Sequence, residues 1–179
     1  MPEQETPIFA IEKLYIKDLS LEVPSAPSIY LERGSPEISL QLRTGAKKVG
    51  DDIFEVLLTA TVTAKIGEKN MFLVEAGQAG LFRIRNVPQE NIDPLLAIAC
   101  PNILFPYARE AISDTVGRAG FVPVILQPVN FEALYAARVQ QQQQQQQQPQ
   151  EQSRPQEEQE EPKQKPKQKP KQKDDTATD

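Results

Sequence analysis

Cys100 is the single cysteine of a 179-residue chain that has no histidine. Every serine or cysteine triad that works through imidazole is thereby excluded, as is any histidine-ligated metal site. A lone thiol followed directly by Pro101 has no second cysteine for a redox pair, and it reads as a small buried side chain. Among the carboxylates, Asp18, Glu22 and Glu75 fall on segments that read as strands, at positions a sheet can bring together. Taken alone they are the ordinary solvated cover of a half-buried sheet; the sharper reading is a docking surface for a basic partner. The run GQAG at 77–80 is neither a phosphate-binding loop nor a dinucleotide fingerprint, and it reads as a break or bulge in a strand. With no assembled nucleophile, base, metal set or cofactor cradle, the residue types point to binding rather than catalysis and imply no cofactor.

The elements that must position these residues follow from periodicity. Residues 8–23 are rich in β-branched and aromatic types and predict a long strand. Its phase is uneven: Leu14 and Ile16 share one face, Leu19, Leu21 and Val23 the other, which predicts a bulge or sharp twist near Lys17 and Asp18. After a loop carrying Ile29, Tyr30 and Leu31, EISLQLR alternates with Ile38, Leu40 and Leu42 on one side. Residues 53–66 alternate again, and the turn GEKN leads into MFLVEA, which together predict an antiparallel hairpin. The period then changes. A helix can open at Pro88, and residues 106–119 predict a better one with Pro106 at its first position and Gly120 beyond its end. On it Ala108, Ala111, Ile112, Thr115 and Ala119 form a stripe of mostly small residues. An apolar connector follows, and NFEALYAARV predicts a last helix capped by Asn130.

Composition bounds the rest. The chain carries 20 basic and 25 acidic side chains, and the charge divides into 13 and 17 over residues 1–139 and 7 and 8 over 140–179. Neither part is basic, which argues against nucleic acid as a partner. From Gln140 onward a polyglutamine run and a PKQK repeat hold almost no apolar side chains, so the expected division is a flexible N-terminus at 1–7, one domain at 8–139 and a disordered tail at 140–179. No stretch approaches the roughly 20 apolar residues that span a bilayer, so direct membrane insertion is not expected. MPEQETP lacks the basic and apolar regions of an export signal, and one cysteine suits a reducing cytoplasm.

Apolar surface is in surplus. The 29–31 loop, the Ile38–Leu40–Leu42 face, the 103–107 cluster, the 121–126 connector and the last helix exceed what a small core requires. Either all of it is core, or part of it forms an oligomer interface or binding groove.

The stretch CPNILFPYARE at 100–110 resembles the SecB protein-export chaperones. So do YIKDLSLEVPSAP at 15–27, DDIFEVLLTATVTAKIGE at 51–68, FLVEAGQAGLF at 72–82 and PVNFEALY at 128–135. These stretches follow one another in family order across residues 8 to about 139. The resemblance implies an α+β fold, a four-stranded antiparallel sheet with two main helices packed on one face, assembled as a dimer of dimers. It implies an ATP-independent chaperone that holds unfolded secretory precursors and delivers them to the SecA ATPase in the cytoplasm. Mapped by the resemblance, the SecA-docking set is Asp18, Glu22, Leu73 and Glu75, and the substrate groove comprises Tyr30, Ile38, Leu40, Leu42, Leu126, Phe131, Leu134 and Tyr135. Two features depart from the family: the loop that often carries tryptophan reads ERGSPE at 32–37, and the tail is longer and more repetitive. The rival readings are a SecB-like chaperone dedicated to another client such as a toxin-antitoxin system, an enzyme, and a purely structural oligomer.

Overall fold

A computed structural model describes residues 6–147; the expectations for 1–5 and 148–179 lie outside the described residues. Four strands, β1 (Ile8–Glu22), β2 (Glu37–Lys48), β3 (Ile53–Ile66) and β4 (Lys69–Arg85), form one antiparallel sheet in the order β1-β4-β3-β2. The β3–β4 hairpin turns at Gly67, whose φ of +57° is a backbone state that glycine adopts without a Cβ clash. Its register sets Val62 opposite Val74, Ala60 opposite Ala76 and Ala64 opposite Phe72. Because side chains alternate, the even-numbered residues of both strands face one side, and from Val56 to Ala64 and from Phe72 to Ile84 they are buried.

Two register shifts interrupt β1 where it pairs with β4, one between Ile11 and Lys13 and one between Ile16 and Asp18. The second is the irregularity that the uneven phase of residues 8–23 predicts. GQAG, in contrast, does not break its strand: β4 runs unbroken through Gly77–Gly80 to Arg85. These glycines serve close packing instead. A Cβ on Gly80 would lie 2.7 Å from Phe82 Cε2 and 3.0 Å from Leu14 Cδ2, so the extra residue sits on β1 and its partner stays thin.

The expected helix start at Pro106 also needs correction. Helix α1 (Gln89–Pro94) continues through a wider i→i+5 turn at Leu95–Ala99 into α2 (Cys100–Arg118), and Pro106 lies inside α2. Proline removes one backbone donor and crowds the preceding turn. On either side of Pro106, Leu104, Phe105 and Ala108 are buried, and this packing outweighs the local preference. The buried stripe of α2 is therefore longer than its second half: Cys100, Pro101, Leu104, Phe105, Ala108, Ala111, Ile112 and Val116. It packs on β3 and β4 against Leu58, Phe72 and Phe82.

Gly120 ends α2 with φ of +83° and donates to the Gly117 carbonyl at 3.0 Å. The connector is anchored by buried Phe121, Val124 and Leu126. Asn130 then caps α3 (Phe131–Gln147), its Oδ1 accepting the Ala133 N–H at 2.9 Å. The helix persists through Gln140–Gln147, past the composition break, so the regular structure ends later than the expected boundary. Among the described residues no helix is long and apolar enough to cross a membrane.

Candidate functional site on two faces of the sheet

The helices cover one face of the sheet and leave the other bare. After the second bulge, Asp18 pairs with Gly77, Ser20 with Glu75 and Glu22 with Leu73. Pairing partners project to the same side, so Asp18, Glu22, Leu73 and Glu75 all lie on the bare face, on two adjacent strands. Asp18, Glu22 and Leu73 are exposed. Glu75 is half-buried and accepts a 2.6 Å hydrogen bond from Thr61 Oγ1 on β3. The arrangement, an exposed leucine among three carboxylates, suits a basic peptide carrying an apolar anchor.

The same face holds a cluster that the sequence reading misses. Glu55 on β3 is nearly closed to solvent. Lys17 Nζ reaches its Oε1 at 2.9 Å and its Oε2 at 2.8 Å, Lys47 Nζ reaches Oε2 at 2.9 Å, and Tyr15 Oη donates to Oε1. Hydrogen bonds from Lys17, Tyr15 and Lys47, in that order, pull the Glu55 carboxyl down to about 2. The bond to this carboxylate raises the Tyr15 phenol. Alternation of residues 53–66 places Glu55 on the wet side, yet nothing in local spacing pairs it with side chains 38 and 40 residues away.

On the helix-covered side, β2 outruns its cover. Ile38, Leu40 and Leu42 pair with Ala64, Val62 and Ala60 and so point toward the helix layer. Ile38 and Leu40 are exposed and Leu42 is half-buried and packed on the core. The row runs into a cavity of about 210 Å³ lined by Leu42, Thr44, Ala97, Phe131, Leu134, Tyr135 and Arg138. Leu134 is half exposed at its rim, whereas Phe131 is buried, meeting Phe105 edge-to-face at 5.9 Å. Tyr30 stacks on Phe121 at 5.0 Å and donates to the Ala119 carbonyl at 2.9 Å. Leu126, in the connector, is buried. In the single chain, then, Phe131 is floor rather than accessible lining, and Leu126 does not line this cavity.

A family model described as preprotein translocase subunit SecB matches residues 2–145. Similar curated proteins include the protein-export protein SecB of Dechloromonas aromatica, 64% identical over 142 residues that cover 79% of this chain and 93% of that protein. That of Nitrosospira multiformis is 60% identical over 141 residues, covering 79% and 89%, and that of Neisseria gonorrhoeae 57% over 144 residues, covering 80% and 95%. Among solved structures, a SecB-like chaperone of Mycobacterium tuberculosis in complex with a ChAD peptide from the HigA1 antitoxin matches with a TM-score of 0.56 at 18% identity, covering 68% of this chain and 90% of that one. At that identity the likeness is one of fold. The sheet order, the helices on one face and the sequence matches agree, and the chain belongs to the SecB family of preprotein translocase subunits.

Proposed function

We propose that this protein is an ATP-independent holdase that keeps secretory precursors unfolded and passes them to SecA. The observation that carries the reading is the apolar row Ile38–Leu40–Leu42, left open along β2 and leading into the cavity beside α3. Unfolded chains present apolar side chains that such a row can bury, at roughly 25 cal/mol per Å². Folded proteins bury most of theirs and offer no extended apolar segment to the row, so discrimination needs no nucleotide cycle and no catalytic step. Several grooves on one oligomer let a client wrap around it, and weak local contacts then sum through effective concentration.

Two further features support the reading. Asp18, Glu22, Leu73 and Glu75 share the bare face, on the opposite side of the sheet from the row, so client and SecA can engage together. The β1 edge carries Ile8, Phe9, Ile11, Ile16 and Leu19 exposed, and the helix layer exposes Tyr107, Val122 and Ile125; a homotetramer built as a dimer of dimers covers surfaces of this kind. Relatives 57–64% identical are named for protein export, which favours that client class over an antitoxin.

The test is light scattering of a reduced, unfolded secretory precursor diluted into buffer without ATP, with and without this protein, and repeated with Leu42→Asp. Suppressed aggregation that Leu42→Asp weakens, with sedimentation unchanged, is the expected result. No suppression at several-fold excess of the parent protein overturns the reading.

A further inference from the structure

The second bulge of β1 decides which side of the sheet the end of that strand presents. Before it, Tyr15 pairs with Ala79; after it, Asp18 pairs with Gly77, with Lys17 as the extra residue. Remove that residue's offset and every later side chain changes face. Asp18 and Glu22 would then turn toward the helices, and Leu19 and Leu21 toward the bare side.

Tyr15, just before this point, and Lys17, the extra residue itself, are held by one carboxylate, Glu55, on a strand that is not β1's neighbour. They reach it diagonally across β4, over Gly77 and Ala79, both small and buried, and beside the half-buried Leu81 that pairs with Glu55 itself. The fit is close: a Cβ on Gly77 would lie 3.3 Å from Asp18 Cβ and 3.5 Å from Leu57 Cδ1. From the other edge, Lys47 on β2 pairs directly with Glu55. Gln78 Nε2 donates to the Tyr15 carbonyl at 3.1 Å, fastening the backbone just before the bulge. Glu55 thus ties both edge strands to β3 through charge-assisted contacts.

We propose that Glu55 is a positioning residue for the docking surface: by gripping Tyr15 just before the bulge and Lys17 within it, it fixes the phase that brings Asp18 and Glu22 beside Leu73 and Glu75. This inference rests on the reading of that surface as the SecA-docking site. It has a sign that simple charge counting lacks. Lys17→Met removes a positive charge beside an acidic surface, which by Coulomb attraction alone should tighten the grip on a basic peptide. A positioning role requires the opposite.

The experiment is fluorescence anisotropy of a labelled basic peptide of SecA, titrated with the full-length protein and its variants. Glu55→Gln and Lys17→Met are each expected to weaken binding about five- to tenfold, and the double variant no more than either alone, since both release the same grip. Tyr15→Phe, which changes no charge and little volume, is expected to weaken it about two- to threefold, and it decides the matter should Lys17→Met fail to fold. Suppression of precursor aggregation, which uses the other face, stays at the parent level. Tighter or unchanged binding by Lys17→Met, or by Tyr15→Phe in its place, while Asp18→Asn weakens it, overturns the positioning role and leaves the docking surface standing. A parent protein that does not bind the peptide, or an Asp18→Asn variant that binds like the parent, overturns the docking reading and this inference with it.

Discussion

Tyr135 Oη donates a 2.8 Å hydrogen bond to Asp93 Oδ2, joining α3 to α1 across 42 residues of chain. Beyond Phe131, α3 buries little, and its glutamines at 141–144 are exposed. One polar bond and one buried ring therefore hold the helix that borders the apolar cavity. Tyr135→Phe is expected to speed amide hydrogen exchange in α3 severalfold while leaving the global urea midpoint close to the parent's, because the bond is exposed. Exchange followed by mass spectrometry checks this, and unchanged rates in α3 would mean that Phe131 holds the helix alone.

Gly80 has no room for a side chain. Its added Cβ would meet Phe82, a fully buried ring that stacks on Phe9 at 5.9 Å and cannot swing freely. Gly80→Ala is expected to destabilise the fold by about 1–3 kcal/mol. Gly45, on the edge strand β2, has nothing within 4 Å of the same atom, so Gly45→Ala is expected within about 0.5 kcal/mol of the parent. Urea midpoints of the two variants check the pair, and equal midpoints would contradict the packing around Phe82.

What the sequence made legible divides along a physical line. Period-two alternation at 53–66 and the phase change near Lys17 are local signals, and both strand and bulge stand where those signals put them. The helix through Pro106 was hidden because the cost of proline is local, whereas the burial of Leu104, Phe105 and Ala108 that outweighs it comes from distant strands. Gly77 and Gly80 carried the residue type of a break, but their reason lies in Asp18 and Leu14 of the neighbouring strand and in the Phe82 ring two residues beyond Gly80. Glu55 was invisible for the same cause: its partners come from two other strands. The proposed docking and groove residues entered through family resemblance, and alternation by itself left Asp18, Glu22 and Glu75 as a solvated face.

The Glu55 cluster predicts an acid limb of stability. Its carboxyl sits at about 2 in the folded protein, against 4.5 for an unperturbed glutamate, chiefly through the bond from Lys17. The folded value is depressed, so the contribution is present above about pH 4.5 and is lost as pH falls toward 2, where the unfolded state takes up a proton that the folded state refuses. Glu55→Gln is expected to flatten the fall of the urea midpoint between pH 5 and pH 2. Parallel curves for parent and variant would show that other carboxylates account for the whole limb.

Cys100 begins α2 with no solvent exposure, and burial pushes its thiol up to about 12. The thiolate is the reactive species, so two barriers protect it: access and ionisation. In the native protein at pH 8, iodoacetamide is expected to modify Cys100 at least about 1,000-fold more slowly than in 8 M urea, since reaction requires opening of the sheet-facing side of α2. Because the folded thiol ionises later than the unfolded one, stability contributed by its protonated form is full below about pH 9 and declines as pH rises toward 12. Mass spectrometry of timed aliquots gives the rate. Modification at the denatured rate would place the first turn of α2 open in solution, and with it the junction at Leu95–Ala99 on which the uninterrupted helix through Pro106 depends.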